Sequence, residues 1–124
     1  MEVLSSRILL RPSDPDRTHE FYGETLGLAV YRQFPGGTVY FLGNSLLEVS
    51  GQSDAGERPG VALWLQVRNL SDAVAQLALA GVPILRGPQQ EPWGLHEAWI
   101  ADPDGVRIVL VEVPEDHPLR SDPR

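Results

Sequence analysis

The chain has 124 residues, 42% of them apolar, and a formal charge of −7. That length suits one domain with its own core, and the acidic balance supplies no positive footprint for nucleic acid. Cysteine and lysine are both missing, which excludes disulfides, thiolate metal sites, cysteine nucleophiles and Schiff-base chemistry; all ten basic residues are arginine, a planar and permanently charged fork.

The N-terminus, Met1 to Arg7, lacks the basic start and apolar run of a signal peptide, and no apolar run approaches the ~18 residues of a membrane span. The expectation is a cytoplasmic protein that meets neither membrane nor nucleic acid.

Arg7 to Pro12 is predicted as a short first strand, with Ile8 and Leu10 on one side and Arg7, Leu9 and Arg11 on the other. Asp14 is placed to N-cap a helix whose first position is Pro15, with Asp16 favourably near the positive end of the helix dipole. Thr18, Phe21, Thr25 and Leu28 mark its buried stripe, and Gly27 stops it. A strand over Leu28 to Phe34 breaks at Pro35-Gly36-Gly37. Thr38 to Leu42 and Ser45 to Ser50 then form a hairpin across Gly43-Asn44, with Val39, Phe41, Leu46 and Glu48 on one face. The polar stretch 51–60 reads as a linker.

After it the pattern restarts. Val61 to Val67 is a strand, and Asn69 caps a helix with Asp72 three residues on. Ala73, Val74, Leu77 and Ala80 follow at helical spacing, and Gly81 with Pro83 ends it. Val82 to Arg86 reads as a strand and the residues through Pro92 as a loop. The stretch Glu91 to Glu112 reads as two antiparallel strands joined at Asp102-Pro103-Asp104-Gly105, where proline, two turn-forming aspartates and glycine meet. Both faces of the second strand are apolar apart from Arg107, so neither is fully wet. Residues 114–124 read as a loose tail.

Each half therefore reads strand, helix, strand, strand, strand, and Leu26 to Arg32 parallels Ala80 to Arg86. A unit of roughly 60 residues is duplicated. The fold class expected is α+β: two βαβββ modules, about 7–50 and 61–113, forming one domain over 1–113 with helices outside and sheets curling around a hollow.

With Phe21-Tyr22 followed by Leu26-Gly27, then Asp102-Pro103-Asp104-Gly105 and the Leu110-Val111-Glu112 ending, the sequence resembles the vicinal oxygen chelate superfamily. That superfamily holds glyoxalases, bleomycin-resistance proteins, thiol transferases and extradiol dioxygenases. The resemblance implies four metal-ligand positions, which fall on Arg7, Glu48, Ala62 (or Val61) and Val109. Of these only Glu48 can ligate, whereas a catalytic divalent ion takes about three protein ligands. The expectation is therefore no metal and no other cofactor. Among the histidines, His19 reads as packed or solvated on the first helix, His117 lies in the tail, and His96 is a candidate ligand contact. No paired acid–base or Ser–His–Asp arrangement is legible, so no catalytic residue is assigned.

The face that would otherwise hold the metal then carries Arg7, Leu9, Arg11, Val39, Phe41, Leu46 and Glu48 from the first module. The second contributes Ala62, Trp64, Gln66, Arg107, Val109 and Val111. Plain counting across the hairpin can point Trp99 outward, while the superfamily pattern points Trp99 and Ala101 inward, as taken here. Trp93 is a candidate lid. The ligand-binding set is Arg7, Arg11, Phe41, Glu48, Trp64, Gln66, Trp93, Trp99 and Arg107.

Indole faces stack on flat rings. The function that follows is sequestration of a planar aromatic or heteroaromatic compound, such as an antibiotic, by a homodimer resembling the bleomycin-resistance branch. The alternatives are a metal-dependent lyase, thiol transferase or dioxygenase, and a partner domain whose hollow is filled by its own side chains.

Overall fold

The structure, a computed structural model, describes residues 2, 4–5, 7–54 and 61–118. Residues 55–60 of the expected linker and 119–124 of the expected tail lie outside the described residues. The chain divides into two compact units, Met1–Arg58 with Asp102–Gly105, and Pro59–Ala101 with Val106–Arg124. Among the described residues no helix is long and apolar enough to cross a membrane.

The first unit runs β1 (Ile8–Leu10), α1 (Pro15–Glu20), β2 (Val30–Phe34), β3 (Gly37–Leu42) and β4 (Ser45–Ser50). Its sheet has the order β1-β4-β3-β2, with β1 parallel to β4 and the other pairs antiparallel. Asp14 caps α1 through its side chain, which accepts from Arg17 N, and Pro15 fills the first turn. The helix continues as a wider π turn over Phe21–Thr25, closed by Leu26 N donating to Phe21 O at 2.8 Å. This turn buries Phe21 and Tyr22 together against the sheet. Leu47 and Val49, alternate residues of β4, are wholly buried in the same core.

The second unit repeats the order: β5 (Ala62–Gln66), α2 (Leu70–Leu79), β6 (Arg86–Gln90), β7 (His96–Ala101) and β8 (Arg107–Glu112). Its sheet order is β5-β8-β7-β6, again with one parallel pair. Leu63, Ile108 and Ile100 form one cross-strand row and Leu65, Leu110 and Ala98 the next, which places them on one face. Leu70 and Leu77, two turns apart on α2, are buried with them. Asn69 caps α2 by accepting from Asp72 N, and Glu112 reaches back from β8 to accept from Leu70 N at 2.8 Å. The architecture is the expected α+β pair of tandem modules, each a four-stranded mixed sheet with one helix.

One element moves. The strand predicted over Val82 to Arg86 is found at Arg86–Gln90, inside the stretch read as a loop. Pro88 lies within it, but β6 is the outermost strand, and the β6–β7 register shifts between Arg86 and Gln89. A proline is tolerated at such an irregular edge because it owes the ladder no N–H. The matching outermost strand β2 shifts register too, between Val30 and Arg32, so the duplication extends to the irregularity.

Residues 114–118 of the expected tail fold back: His117 N donates to Pro114 O, and its ring lies 2.9 Å from the Trp93 carbonyl.

Candidate functional site

On the first sheet, Leu9, Val39 and Glu48 align across β1, β4 and β3, and Phe41 pairs with Leu46, so these side chains share one face. Val39 is wholly buried and belongs to the core, which corrects its expected place beside a hollow. Phe41 and Leu9 remain 44% and 49% exposed, and Tyr31 meets Phe41 edge-on with centroids 5.3 Å apart. Arg7 Nη1 donates to Glu48 Oε1 at 2.9 Å, and Ser50 Oγ donates to Glu48 Oε2 at 2.8 Å. The Ser50 hydroxyl and then the Arg7 guanidinium hold the Glu48 carboxyl below the usual carboxylate range. Arg11 is exposed, and its guanidinium lies over Gly51, where an added Cβ would meet Nη1 at 2.6 Å.

On the second sheet, Ala62 pairs with Arg107, Trp64 with Val109 and Gln66 with Val111; across β7, Val109 also pairs with Trp99 and Arg107 with Ala101. Trp64 and Trp99 therefore stand on one face, on either side of Val109, and Trp99 points the way the superfamily pattern implied. Trp64 is 49% exposed, Gln66 and Arg107 are exposed, and Trp99 and Val109 are partly so. Val111 is not a lining residue as expected. It is wholly buried in a cluster with Leu95 and Val113, which fills that end of the face.

Trp93 is 58% exposed and anchored at both ends: its indole N–H donates to Glu97 Oε2 at 2.9 Å, and its carbonyl lies beside His117. Arg86, which the misplaced strand hid, pairs with Trp99 in the ladder, its guanidinium 3.8 Å from the indole centroid. Arg107 comes within 4.5 Å of the same centroid from the strand on the other side. Arg86 is ion-paired to Glu91, itself buried. Two buried donors, Trp99 Nε1 and Arg86 Nε, have no acceptor among the described residues. His96 stands two positions before Ala98 and so off the Trp99 face.

The metal-ligand positions implied by the resemblance do not fit a divalent ion. In the first unit both Glu48 oxygens are engaged and Arg7 places a cation beside them. In the second, Ala62 and Val109 carry no donor atom. Among the described residues, no three of the His, Asp and Glu side chains come together as a metal site.

A feature the sequence did not suggest lies on the helix side of the first sheet. An open depression of about 610 Å³ is lined by Pro15, His19, Gln33, Phe34, Thr38 and Gln52, among others. His19 Nδ1 is 3.0 Å from the Tyr40 hydroxyl there. The signal that could have found it was glycine: Gly36 and Gly37 form the turn at its rim.

The motif residues are explained by packing. Tyr22, wholly buried, donates its hydroxyl to Asp102 Oδ2 at 2.8 Å, and Asp104 accepts from the backbone N and the hydroxyl of Ser13. Burial first, and then the Asp102 charge, push the Tyr22 phenol far above its ordinary pKa, so it stays a donor.

Known proteins share this fold. The chain is similar in structure to a glyoxalase-related enzyme from Fulvimarina pelagi (24% identity, TM-score 0.73, covering 92% of this chain and 90% of that one). It is similar also to a member of the Glyoxalase/bleomycin resistance protein/dioxygenase superfamily from Sphaerobacter thermophilus (24%, 0.69, 90% and 98%). A third is TioX from Micromonospora sp. ML1 (18%, 0.72, 88% and 95%). At these identities the likeness speaks for the fold alone. No curated protein matches the chain in sequence. Residues 5–110, nearly the whole folded span, match the family described as Glyoxalase/Bleomycin resistance protein/Dioxygenase superfamily, and the chain belongs to that family.

Proposed function

We propose that this protein binds and sequesters a flat aromatic small molecule, such as an antibiotic of that shape, without the help of a metal ion. The observation that carries the reading is the pair of solvent-reached indoles, Trp64 and Trp99, on one sheet face with Val109 between them. The three-strand span from Trp64 through Val109 to Trp99 separates their backbones by roughly 10 Å, room for one flat ring over the valine. Apolar walls with few polar anchors are what a small-molecule site needs.

Binding is favoured over turnover because the carboxylates on this sheet each already accept from a fixed donor: Glu91 from Arg86, Glu97 from Trp93. The homodimer that the resemblance implies belongs to the same proposal. Half-exposed Leu9, Tyr31 and Phe41 on the first unit supply an apolar surface for it.

The test is a titration of intrinsic tryptophan fluorescence with flat heteroaromatic compounds and, separately, with zinc, nickel, manganese and ferrous ions. Saturable quenching at micromolar ligand, lost in Trp64→Ala and insensitive to chelator, is the expected result. Stoichiometric metal retained through purification, together with lyase, transferase or dioxygenase turnover, would replace this reading.

A further inference from the structure

We infer that the ring this face accepts carries an acidic group, so that the ligand is an aromatic carboxylate rather than a neutral or cationic flat compound. The inference rests on the binding role proposed above and specifies its chemistry.

Trp99 Nε1 and Arg86 Nε are buried and, among the described residues, have no hydrogen-bond partner. A buried N–H left unpaired is costly, which makes such a group a standing invitation to an acceptor. Both belong to one stack, with the Arg86 guanidinium 3.8 Å from the Trp99 centroid, and both are donors only. Arg107 completes the set. It is exposed, lies over the same ring and, among the described residues, makes no ion pair. A guanidinium held only by a ring face gives up little by turning to a carboxylate, with which it forms two parallel charge-assisted bonds. That turn also uncovers the indole.

The arrangement discriminates as well as attracts. The ring on which a cationic ligand would sit is already approached by two guanidiniums, so a ligand cation meets like charge. The acid on this face does not cancel the effect. Glu91 neutralises Arg86 but leaves Arg107 unbalanced. Glu97 stands two residues along β7 from Trp99, about 7 Å at strand spacing, so it lowers the local positive charge, but its carboxylate is held by the Trp93 indole and, among the described residues, ion-pairs with neither guanidinium. The chain's net charge of −7 repels anions at long range, so selection depends on these local donors and not on steering.

A matched series on one ring system tests this: quinoline-3-carboxylate, quinoline-3-carboxamide and 3-(aminomethyl)quinoline, titrated calorimetrically into the full chain at neutral pH. The carboxylate is expected to bind about ten-fold or more tightly than the carboxamide, the amine weakest, with the carboxylate's advantage shrinking at high salt. In Arg107→Met, which keeps the length of the stem and whose fold is checked by circular dichroism, that advantage should fall below about two-fold while carboxamide binding persists. Equal affinities, a preference for the amine, or an advantage that survives Arg107→Met would overturn the inference and leave ring binding standing. Failure of all three probes to bind would overturn both.

Discussion

Glu48 shows how a residue's chemistry depends on what it touches. In isolation it is the one ligating side chain at the positions where this family's resemblance implies a metal; in place, it accepts from Ser50 and Arg7. Both contacts favour the carboxylate, so its pKa in the folded chain lies below the unfolded value. Between those two values the unfolded chain binds more protons, so the stabilisation is fully present above the ordinary carboxylate pKa and lost as pH falls through the folded one. Glu48→Gln should therefore lower the melting temperature at neutral pH, and the gap to the unmodified protein should close as the solution is acidified below the carboxylate range. A gap that is independent of pH would show that the ion pair is not what Glu48 contributes. Tyr22 makes the complementary point, since a residue legible only as part of a motif proves to be the donor that holds Asp102.

At the scale of elements, the two modules use the same devices: an Asx N-cap, a glycine after the helix, one parallel strand pair, and an irregular outermost strand. The β2–β3 turn is the tightest of these. A Cβ on Gly37 would stand 2.5 Å from Phe34 Cζ and 2.7 Å from Ser50 Cβ, inside any allowed contact. Gly37→Ala is expected to cost about 1–3 kcal/mol by overpacking, measured by urea denaturation, with part of the loss recovered in the double variant with Phe34→Leu, which removes the ring contact and leaves the one with Ser50 Cβ. Absence of any recovery would place the clash at Ser50 instead of the Phe34 ring. The same turn rims the depression beside His19 and Tyr40, so the glycine there keeps a surface open as well as a strand pair closed.

At the scale of the whole molecule, family membership, the duplicated sheets and the donor set bear on what the chain does. The family includes proteins that hold a metal and proteins that do not, and the fold does not choose between them. The side chains at the implied ligand positions bear on that choice: arginine, alanine and valine stand at three of the four. The dimer belongs to this scale too. Sedimentation velocity at micromolar concentration should give about twice the mass of the 13.7 kDa chain, and Phe41→Glu, which places a charge on the half-exposed face, should shift it toward one. A monomer across that range would remove the homodimer from the proposal while leaving the indole pair intact.

What the sequence determined was local in origin. Asp14 and Asn69 as caps, Asp102 to Gly105 as a turn, Gly43-Asn44 as a hairpin and the repeat itself all follow from conformational preferences that span four or five residues, so they can be read without knowing what lies across the sheet. The tertiary structure decided what depends on register. Side chains alternate with a period of two, and one irregular residue in a strand exchanges its faces. The five residues between Ala101 and Arg107 settled which way Trp99 points, and the shift in β6 brought Arg86 onto its ring. Whether an arginine is a solvated edge, half of an ion pair or one side of an indole stack is a matter of which strand runs beside it, and no preference of the arginine's own neighbours in sequence carries that information.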